Sequence, residues 1–364
     1  MKPVPLRPNL IDHFYRGGAR IAALRGLPGA GERQPEEWVA ATVGRFGEGE
    51  VGLARTVDGT LLRDLVAADP DGWLGDAAAH RAGPADTGIL VKLLDAGQRL
   101  PVHVHPDRDF ARSHLQCPYG KTEAWLVLDA DPGAAVHVGW RDDVDPGELA
   151  ARRDAQDGGW MLDRMHRLPV RRGDGILVPA GQVHAIGAGV FVLEVQEPTD
   201  WSILLEWSVT TETRDGSHLG LGFDVAMGAV SHGRLDPARL SGLTSHVDLD
   251  GPGPAACLVE AAEPFFRLDL VGAGTTVPAG FAALLVLPGD GGQDPSTQNP
   301  STQGPSTQGP STLRSPAGTV RVAAGGTYAV PAGFGDWTPT GPTRVLVARP
   351  GRDRPVDRPT GGAG

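Results

Sequence analysis

Two histidines lie one residue apart in the segment Gly97-Gln-Arg-Leu-Pro-Val-His103-Val-His105. Side chains at positions i and i+2 of a β-strand point to the same face, so a strand here would present both imidazoles side by side. Imidazole is the most common metal-binding side chain. Paired histidines on a strand are also often ordinary surface residues, so the pair alone does not establish a metal site.

A second segment could supply a third imidazole. It reads Gly173-Asp-Gly-Ile-Leu-Val-Pro179-Ala-Gly181-Gln-Val-His184, in which a tight turn leads into a short apolar strand and a second turn aims His184. Glu123 lies between the two segments, within Lys121-Thr-Glu-Ala-Trp125. Three histidines and one carboxylate suit a divalent ion such as zinc, or iron or manganese.

Short apolar runs separated by glycine-rich turns predict the strands that would carry these residues. The predicted strands lie at 37–45, 88–95, 121–128, 134–140, 175–179, 190–196 and 202–209, and the predicted helices at 60–67, 70–80, 145–153, 222–231 and 236–240. Two of the helices begin with an Asp-Pro pair, which is typical of a capped helix start. The strand spacing favours a sandwich or a closed barrel.

The C-terminal part predicts a second all-β unit, with strands at 265–271, 282–287, 319–322, 327–330 and 344–348. The triplet Pro-Ser-Thr recurs there at 295, 300, 305 and 310. A repeat of this composition has no apolar face to bury, so we expect a disordered loop at about 293–314 and a flexible tail at 351–364. The predicted division is an N-terminal domain at 1–245 and a C-terminal domain at 246–350.

Composition excludes several classes of protein. The chain has 364 residues, 40% of them hydrophobic, and a net charge of −11, which disfavours non-specific binding to nucleic acids and to anionic membranes. Its two cysteines, Cys117 and Cys257, cannot form a disulfide scaffold. The first thirty residues contain arginines but no apolar core of a signal peptide, and no apolar run is long enough for a membrane helix. We therefore expect a cytoplasmic protein with no nucleic-acid or membrane partner.

The two histidine segments match the two motifs of the cupin barrel, Gly-x5-His-x-His and Gly-x5-Pro-x-Gly-x2-His, at full spacing. Residues 106–122 separate His105 from Glu123, a longer gap than cupins usually have. With this insertion the chain resembles the short bacterial type I mannose-6-phosphate isomerases. The resemblance is carried by 90–96, Val104-His-Pro-Asp107, Tyr119-Gly-Lys-Thr-Glu-Ala-Trp125, 178–187 and Leu193-Glu-Val-Gln196, together with Glu37-Trp38 and Asp200.

This resemblance implies a fold of two cupin-type jelly-roll barrels with helical inserts, of which only the first binds metal. It implies one zinc ion, or iron or manganese, held by His103, His105, Glu123 and His184; the position of His103 is normally glutamine in the family. It also implies active-site roles for Lys121 and Asp200, our candidate catalytic residues, and for Lys92. An active-site arginine of the family falls on Leu204, and we expect Lys121, Lys92, Arg99 or Arg214 to provide positive charge instead.

The implied activity is the interconversion of mannose 6-phosphate and fructose 6-phosphate, with a small sugar phosphate as the partner. Leu204 and His103 keep two alternatives open. The first is a cupin enzyme that acts on another or an unphosphorylated sugar, and the second is a non-catalytic sugar-binding cupin.

Overall fold

Antiparallel β-sheets dominate the computed structural model, which describes residues 1–75, 82–288 and 310–353. The strands are β1 (Val4–Pro5), β2 (Leu10–Ile11), β3 (Glu36–Val39), β4 (Leu90–Asp95), β5 (His103–Val104), β6 (Glu123–Ala130), β7 (Ala135–Trp140), β8 (Met165–Pro169), β9 (Asp174–Val178), β10 (His184–Ile186), β11 (Val190–Gln196), β12 (Ile203–Leu204), β13 (Thr244–His246), β14 (Ala255–Ala256), β15 (Phe266–Val271), β16 (Ala282–Val286), β17 (Thr312–Ser315), β18 (Gly318–Arg321), β19 (Thr327–Val330), β20 (Thr338–Thr340) and β21 (Val345–Pro350). Within the described ranges, none of the sheets closes into a barrel.

Short helices connect the strands. They are α1 (Ala19–Arg25), α2 (Leu62–Ala68), α3 (Pro70–Leu74), α4 (Arg108–Phe110), α5 (Pro146–Asp154), α6 (Gly158–Arg164), α7 (Phe223–Ala226) and α8 (Pro237–Ser241), with a π-helical turn at Ala111–Leu115 and 3₁₀ turns at Asp215–His218, Met227–Ala229, Glu260–Ala262 and Ala332–Phe334. The predicted Asp-Pro starts are confirmed: the Asp145 carboxylate accepts a hydrogen bond from Glu148 N at the start of α5, and Asp236 caps α8 in the same way.

Four sheets stack as layers. A five-stranded sheet (β12-β5-β10-β7-β8) faces a seven-stranded sheet (β13-β9-β6-β11-β4-β3-β2), and the apolar layer between them includes Leu94, Trp125, Val138 and Ile186. The opposite face of the seven-stranded sheet packs on a six-stranded sheet (β1-β19-β16-β21-β15-β14). The far face of that sheet is covered by a three-stranded sheet (β18-β17-β20).

The seven-stranded sheet is therefore buried on both faces, which explains why β4 and β11 are nearly continuous apolar runs. Alternation along β4 sends Val91 and Leu93 towards the six-stranded sheet, and Lys92 and Leu94 towards the five-stranded sheet. The same alternation along β11 places Glu194 on the Lys92 side, and the two residues are direct register partners. Charged residues thus occupy one end of an otherwise apolar layer.

Several predicted boundaries differ from the structure. The strand predicted at 190–196 is confirmed as β11, whereas the strand predicted at 202–209 is reduced to β12, and that predicted at 37–45 ends at Val39. The helix predicted at 70–80 ends at Leu74, and residues 76–80 lie outside the described residues. The loop predicted at 293–314 is wrong for 312–314, because β17 pairs there with β18 and β20.

Most of that repeat tract, 293–309, lies outside the described residues, as does the tail from 354. Residues 351–353 of the predicted flexible tail are hydrogen-bonded to the backbone of 263–265. Within the part of the chain that the structure covers, we find no helix long and apolar enough to cross a membrane.

The layered core gives a first prediction. Leu193 is 2% exposed and packs between the seven- and six-stranded sheets, so we expect Leu193→Ala to lower the free energy of unfolding by about 2–5 kcal/mol. The surface variant Val225→Ala, at a side chain 37% exposed, should change it by no more than about 0.5 kcal/mol. Chemical denaturation of the two variants measures both values. A loss below about 1 kcal/mol for Leu193→Ala would contradict the proposed packing.

Candidate metal centre and active-site cavity

Three imidazoles meet at one end of the layer between the five- and seven-stranded sheets. His103 on β5 and His184 on β10 are register partners, and their ring centroids lie 4.0 Å apart. His105 follows β5, and its ring centroid lies 4.8 Å from that of His184. Each ring offers one nitrogen, and these three atoms all lie within 4.8 Å of one another. The structure thus brings together the three histidines that the two sequence motifs predicted.

A tight turn sets the direction of His184. Gly181 has φ +86°, which favours glycine, and a Cβ there would lie only 2.7 Å from Ser231 Oγ. Gly181 N donates to His105 O at 2.8 Å, so the turn that precedes His184 is tied to the segment that carries the other two histidines.

Backbone carbonyls determine which nitrogen of each ring is free. His103 Nδ1 lies 2.9 Å from Pro101 O, His105 Nδ1 lies 2.6 Å from Trp201 O, and His184 Nδ1 lies 2.8 Å from Gln182 O. A carbonyl oxygen only accepts, so each Nδ1 must carry the proton, and the neutral ring then has its lone pair on Nε2. This is how metal-binding histidines are usually oriented.

The electrostatics keep two of these rings neutral. Burial, together with the nearby His184 and His105, lowers the pKa of His103 well below its ordinary value. Burial and the neighbouring Lys121 ammonium lower the pKa of His105 to about 3. Both rings are therefore neutral near pH 7, which is the form that binds a metal ion.

Glu123 lies beside two of the three imidazoles. Its Oε2 lies 3.0 Å from His105 Nε2, and its Oε1 lies 3.3 Å from His184 Nε2. Trp125 Nε1 donates to Oε1 at 3.0 Å, which fixes the carboxylate. Lys121 Nζ lies 3.1 Å from Glu123 Oε2 and 2.9 Å from His105 Nε2. The acid and the lysine predicted from the sequence therefore adjoin the histidine group.

The donor set fits a divalent transition metal. Glu123 Oε2 and His184 Nε2 are fully buried, yet neither makes a hydrogen bond of acceptable geometry. Leaving a buried polar atom unsatisfied costs about 1–3 kcal/mol, so such atoms call for another partner. Three imidazole nitrogens and one carboxylate oxygen are ligands that zinc, iron and manganese accept.

A second group of charges surrounds Lys92. Its ammonium lies 3.4 Å from Glu36 Oε2, 3.8 Å from Glu194 Oε1 and 3.6 Å from Asp200 Oδ1. Burial alone would lower the pKa of Lys92, but these carboxylates outweigh it and raise that pKa above its ordinary value. Burial and the Glu123 charge raise the pKa of Glu194 to about 7. Asp200 and Lys92 were predicted from the sequence, whereas Glu36 and Glu194 were missed.

Both charge groups line one cavity of about 170 Å³. Besides His13, Tyr15 and His103, the ionisable side chains among its described lining residues are six carboxylates and three cations, namely Glu36, Glu48, Glu123, Glu194, Asp200, Glu212, Arg45, Lys92 and Lys121. Leu204 also lines it. A larger cavity of about 700 Å³ lies beside the six-stranded sheet, and none of the predicted site residues lines it.

Two arginines predicted to serve the site do not reach it. Arg99 makes a bidentate ion pair with Glu206, with both N–O distances at 2.7 Å. Arg214 lies 3.7 Å from Asp154 and over the ring of Phe223. Neither lines the cavity, whereas Lys121 and Lys92, the other two cations of that expectation, do. Arg45 lines the cavity and was not predicted.

Comparison with known proteins supports the resemblance seen in the sequence. No family model matches the chain. A mannose-6-phosphate isomerase of Streptococcus mutans is 40% identical over 112 residues, and the mannose-6-phosphate isomerase ManA of Bacillus subtilis is 38% identical over 112 residues. Each alignment covers 31% of this chain and 34% of the relative, so the chain matches about a third of the length of these relatives.

Solved structures match almost the whole chain. The mannose 6-phosphate isomerase of Bacillus subtilis superposes with a TM-score of 0.67 at 20% identity, covering 96% of this chain and 100% of the other. A mannose 6-phosphate isomerase bound with zinc and yttrium gives a TM-score of 0.67 at 14% identity, covering 96% and 100%. The resemblance to mannose-6-phosphate isomerases is thus confirmed, and the chain has the fold of the solved members.

Proposed function

We propose that the protein is a metal-dependent aldose–ketose isomerase that interconverts mannose 6-phosphate and fructose 6-phosphate. The observation that carries the proposal is the convergence of His103, His105, His184 and Glu123 at one end of a cavity. His103 and Glu123 line that cavity together with Lys121 and Asp200. Relatives named mannose-6-phosphate isomerase support the same activity. The substrate would be a small sugar phosphate.

His103, His105, Glu123 and His184 would hold one ion, with zinc the first choice and iron or manganese as alternatives. The three carbonyl-bound Nδ1 atoms and the orphaned atoms of Glu123 and His184 support this set. A zinc-bound neighbour of the same fold supports zinc. When bound, such an ion acts as a Lewis acid that polarises a sugar carbonyl and makes the adjacent C–H more acidic.

Proton transfer then depends on groups of this chain. A general base removes the proton next to the carbonyl, an enediol forms, and a proton returns to the neighbouring carbon while another moves between the two oxygens. Lys121 and Asp200 are the candidates, because both line the cavity and each contacts one of its charge groups. Glu194, whose pKa is about 7, could exchange a proton near neutral pH.

The hydrogen bond between Lys121 and His105 is not compatible with an ion bound at His105 Nε2. The lone pair of His105 Nε2 can accept a hydrogen bond from Lys121 Nζ, which lies 2.9 Å away, or bind an ion, but not both. If His105 Nε2 were a metal ligand, the Lys121 ammonium would lose this acceptor. Lys121 lines the cavity and could then donate to a substrate oxygen.

An unphosphorylated sugar is the second candidate substrate. The cavity lining carries six carboxylates against three cations, a formal excess of three negative charges. A sugar phosphate brings about two further negative charges near pH 7, which this excess opposes. Leu204 supplies no cation to offset it. A divalent ion would reduce the excess to one, and partial protonation of Glu194 would reduce it further.

We also propose that the sheet pairs are two flattened cupin-type jelly rolls. The five- and seven-stranded sheets would form the first, within a domain at 1–245, and the six- and three-stranded sheets the second, at 246–350. Two observations complicate that division: β1 joins the six-stranded sheet, and one apolar core links the two halves. The second unit would be metal-free, since residues 250–364 contain no histidine. A cytoplasmic location without nucleic-acid or membrane partners fits a sugar-phosphate enzyme.

The proposed set of four metal ligands predicts that a variant without two of them loses the bound zinc. We expect the purified chain to hold about one zinc ion and the variant His105→Ala/His184→Ala to retain almost none, because two of four ligands are removed. Elemental analysis after dialysis measures both. His114→Ala removes an exposed histidine outside the site and should leave the metal content unchanged. Full occupancy in the double variant would refute the assignment.

A coupled isomerase assay on zinc-loaded protein tests the activity. We expect kcat/KM for mannose 6-phosphate to exceed that for mannose by about ten- to a hundredfold, the effect of one charge-assisted phosphate contact. Lys121→Ala should lower kcat by about 10²–10⁴-fold if Lys121 moves a proton. Lys2→Ala, at an exposed lysine that does not line the cavity, is the matched control.

Other outcomes select between the alternatives. Equal or faster turnover of mannose, unaffected by Lys121→Ala, would favour the unphosphorylated sugar. Absence of turnover of either sugar by zinc-loaded protein would favour a sugar-binding cupin.

A further inference from the structure

Three cations line the cavity among the residues that the structure describes, and one of these three is available to bind an incoming anion. Lys92 is surrounded by the carboxylates of Glu36, Glu194 and Asp200 and is 4% exposed. Lys121 is also 4% exposed and contacts Glu123 and His105 of the metal centre. A phosphate that bound either lysine would have to displace buried carboxylates or enter the metal centre.

Arg45 is in a different position. It lies in the loop after β3, and its side chain is 18% exposed, so it sits where the cavity still meets solvent. Its Nη1 donates to Asp12 O at 2.9 Å and lies 3.3 Å from Glu48 Oε1. Among the described residues, neither its Nε nor its Nη2 donates a hydrogen bond. Glu48 is 45% exposed and can turn into solvent when another anion arrives.

Physical chemistry favours the mouth of the cavity for a phosphate. A phosphate dianion is strongly hydrated, so binding it at a partly exposed site avoids most of the cost of desolvation. A guanidinium presents two parallel N–H donors that match two phosphate oxygens. Arg45 is held by the Asp12 carbonyl on one nitrogen, which pre-positions the rest of its fork.

We propose that Arg45 is the phosphate-binding residue of this cavity and sets its preference for phosphorylated over neutral sugars. The proposal rests on the proposed isomerase function for the choice of a sugar phosphate as ligand. The sugar ring would extend inward to the metal centre, while its phosphate ester remained at the mouth on Arg45.

Calorimetric binding of sorbitol 6-phosphate and of sorbitol tests the assignment, because neither compound can be isomerised. With the zinc-loaded full chain we expect sorbitol 6-phosphate to bind more tightly than sorbitol. Arg45→Gln should weaken binding of sorbitol 6-phosphate by about ten- to a hundredfold and change binding of sorbitol by less than about twofold. Arg45→Lys, which keeps the charge but not the fork, should recover part of the loss.

Two control variants distinguish the effect of removing the Arg45 charge from an effect on folding. Arg63→Gln removes an arginine that pairs with acids at the surface, and both affinities should stay unchanged. Arg45→Met keeps the aliphatic stem and serves as a second neutral variant if Arg45→Gln unfolds at the assay temperature. A merely structural role for Arg45 would weaken sorbitol and sorbitol 6-phosphate equally, and that result would overturn the proposal.

The outcomes also distinguish this proposal from the proposed function. If the wild type isomerises mannose 6-phosphate but neutral Arg45 variants bind sorbitol 6-phosphate normally, the function stands and the role of Arg45 fails. If binding of sorbitol 6-phosphate depends on Arg45 but mannose 6-phosphate is not turned over, the role of Arg45 stands and the isomerase function fails. Wild-type binding of sorbitol 6-phosphate no tighter than that of sorbitol would also overturn the proposal.

Discussion

This site depends on one constraint, which is that charged side chains are buried in it. Lys92, Glu36 and Glu194 lie on the seven-stranded sheet, both faces of which are covered by other sheets. Lys92 lies in the middle of β4 and is 4% exposed, and an unpaired buried ammonium costs several kcal/mol. Glu36, Glu194 and Asp200 approach it from three other segments and offset that cost. Cross-strand pairing places Glu194 directly opposite Lys92. Removing Lys92 would leave these carboxylates without their cation, so the group depends on that one ammonium.

Burial also constrains the histidine group, but here it acts by disfavouring charge rather than by requiring a charged partner. The rings of His103 and His105 stay neutral because burial disfavours their charged form. Backbone carbonyls accept the Nδ1 proton of all three rings. The three ring nitrogens that could bind an ion lie within 4.8 Å of one another. They lie beside the Glu123 carboxylate, whose Oε2 has the Lys121 ammonium 3.1 Å away. This arrangement would lower the reorganisation needed for the proposed ion to bind.

The sequence predicted the parts of the site that local patterns determine. His103, His105 and His184 stand in motifs whose turns and strands fix their direction, and their meeting follows from the pairing of β5 with β10. Glu194 could have been found in the same way as Lys92, because it is a charged residue within an apolar strand. Glu36 and Arg45 could not, since their positions depend on the pairing of β3 with β4 and on the path of a loop. Arg99 and Arg214 were misassigned because Glu206 and Asp154, which pair with them, are distant in sequence.

Anomalous X-ray diffraction from zinc-loaded crystals tests the central claim most directly, namely that these four side chains form one metal centre. The account predicts a single strong peak at about 2.0–2.2 Å from Nε2 of His103, His105 and His184 and from a Glu123 oxygen. It also predicts that Lys121 Nζ moves away from the 2.9 Å contact with His105 Nε2. A peak elsewhere in the molecule, or one at this site with the Lys121–His105 contact intact, would contradict the account.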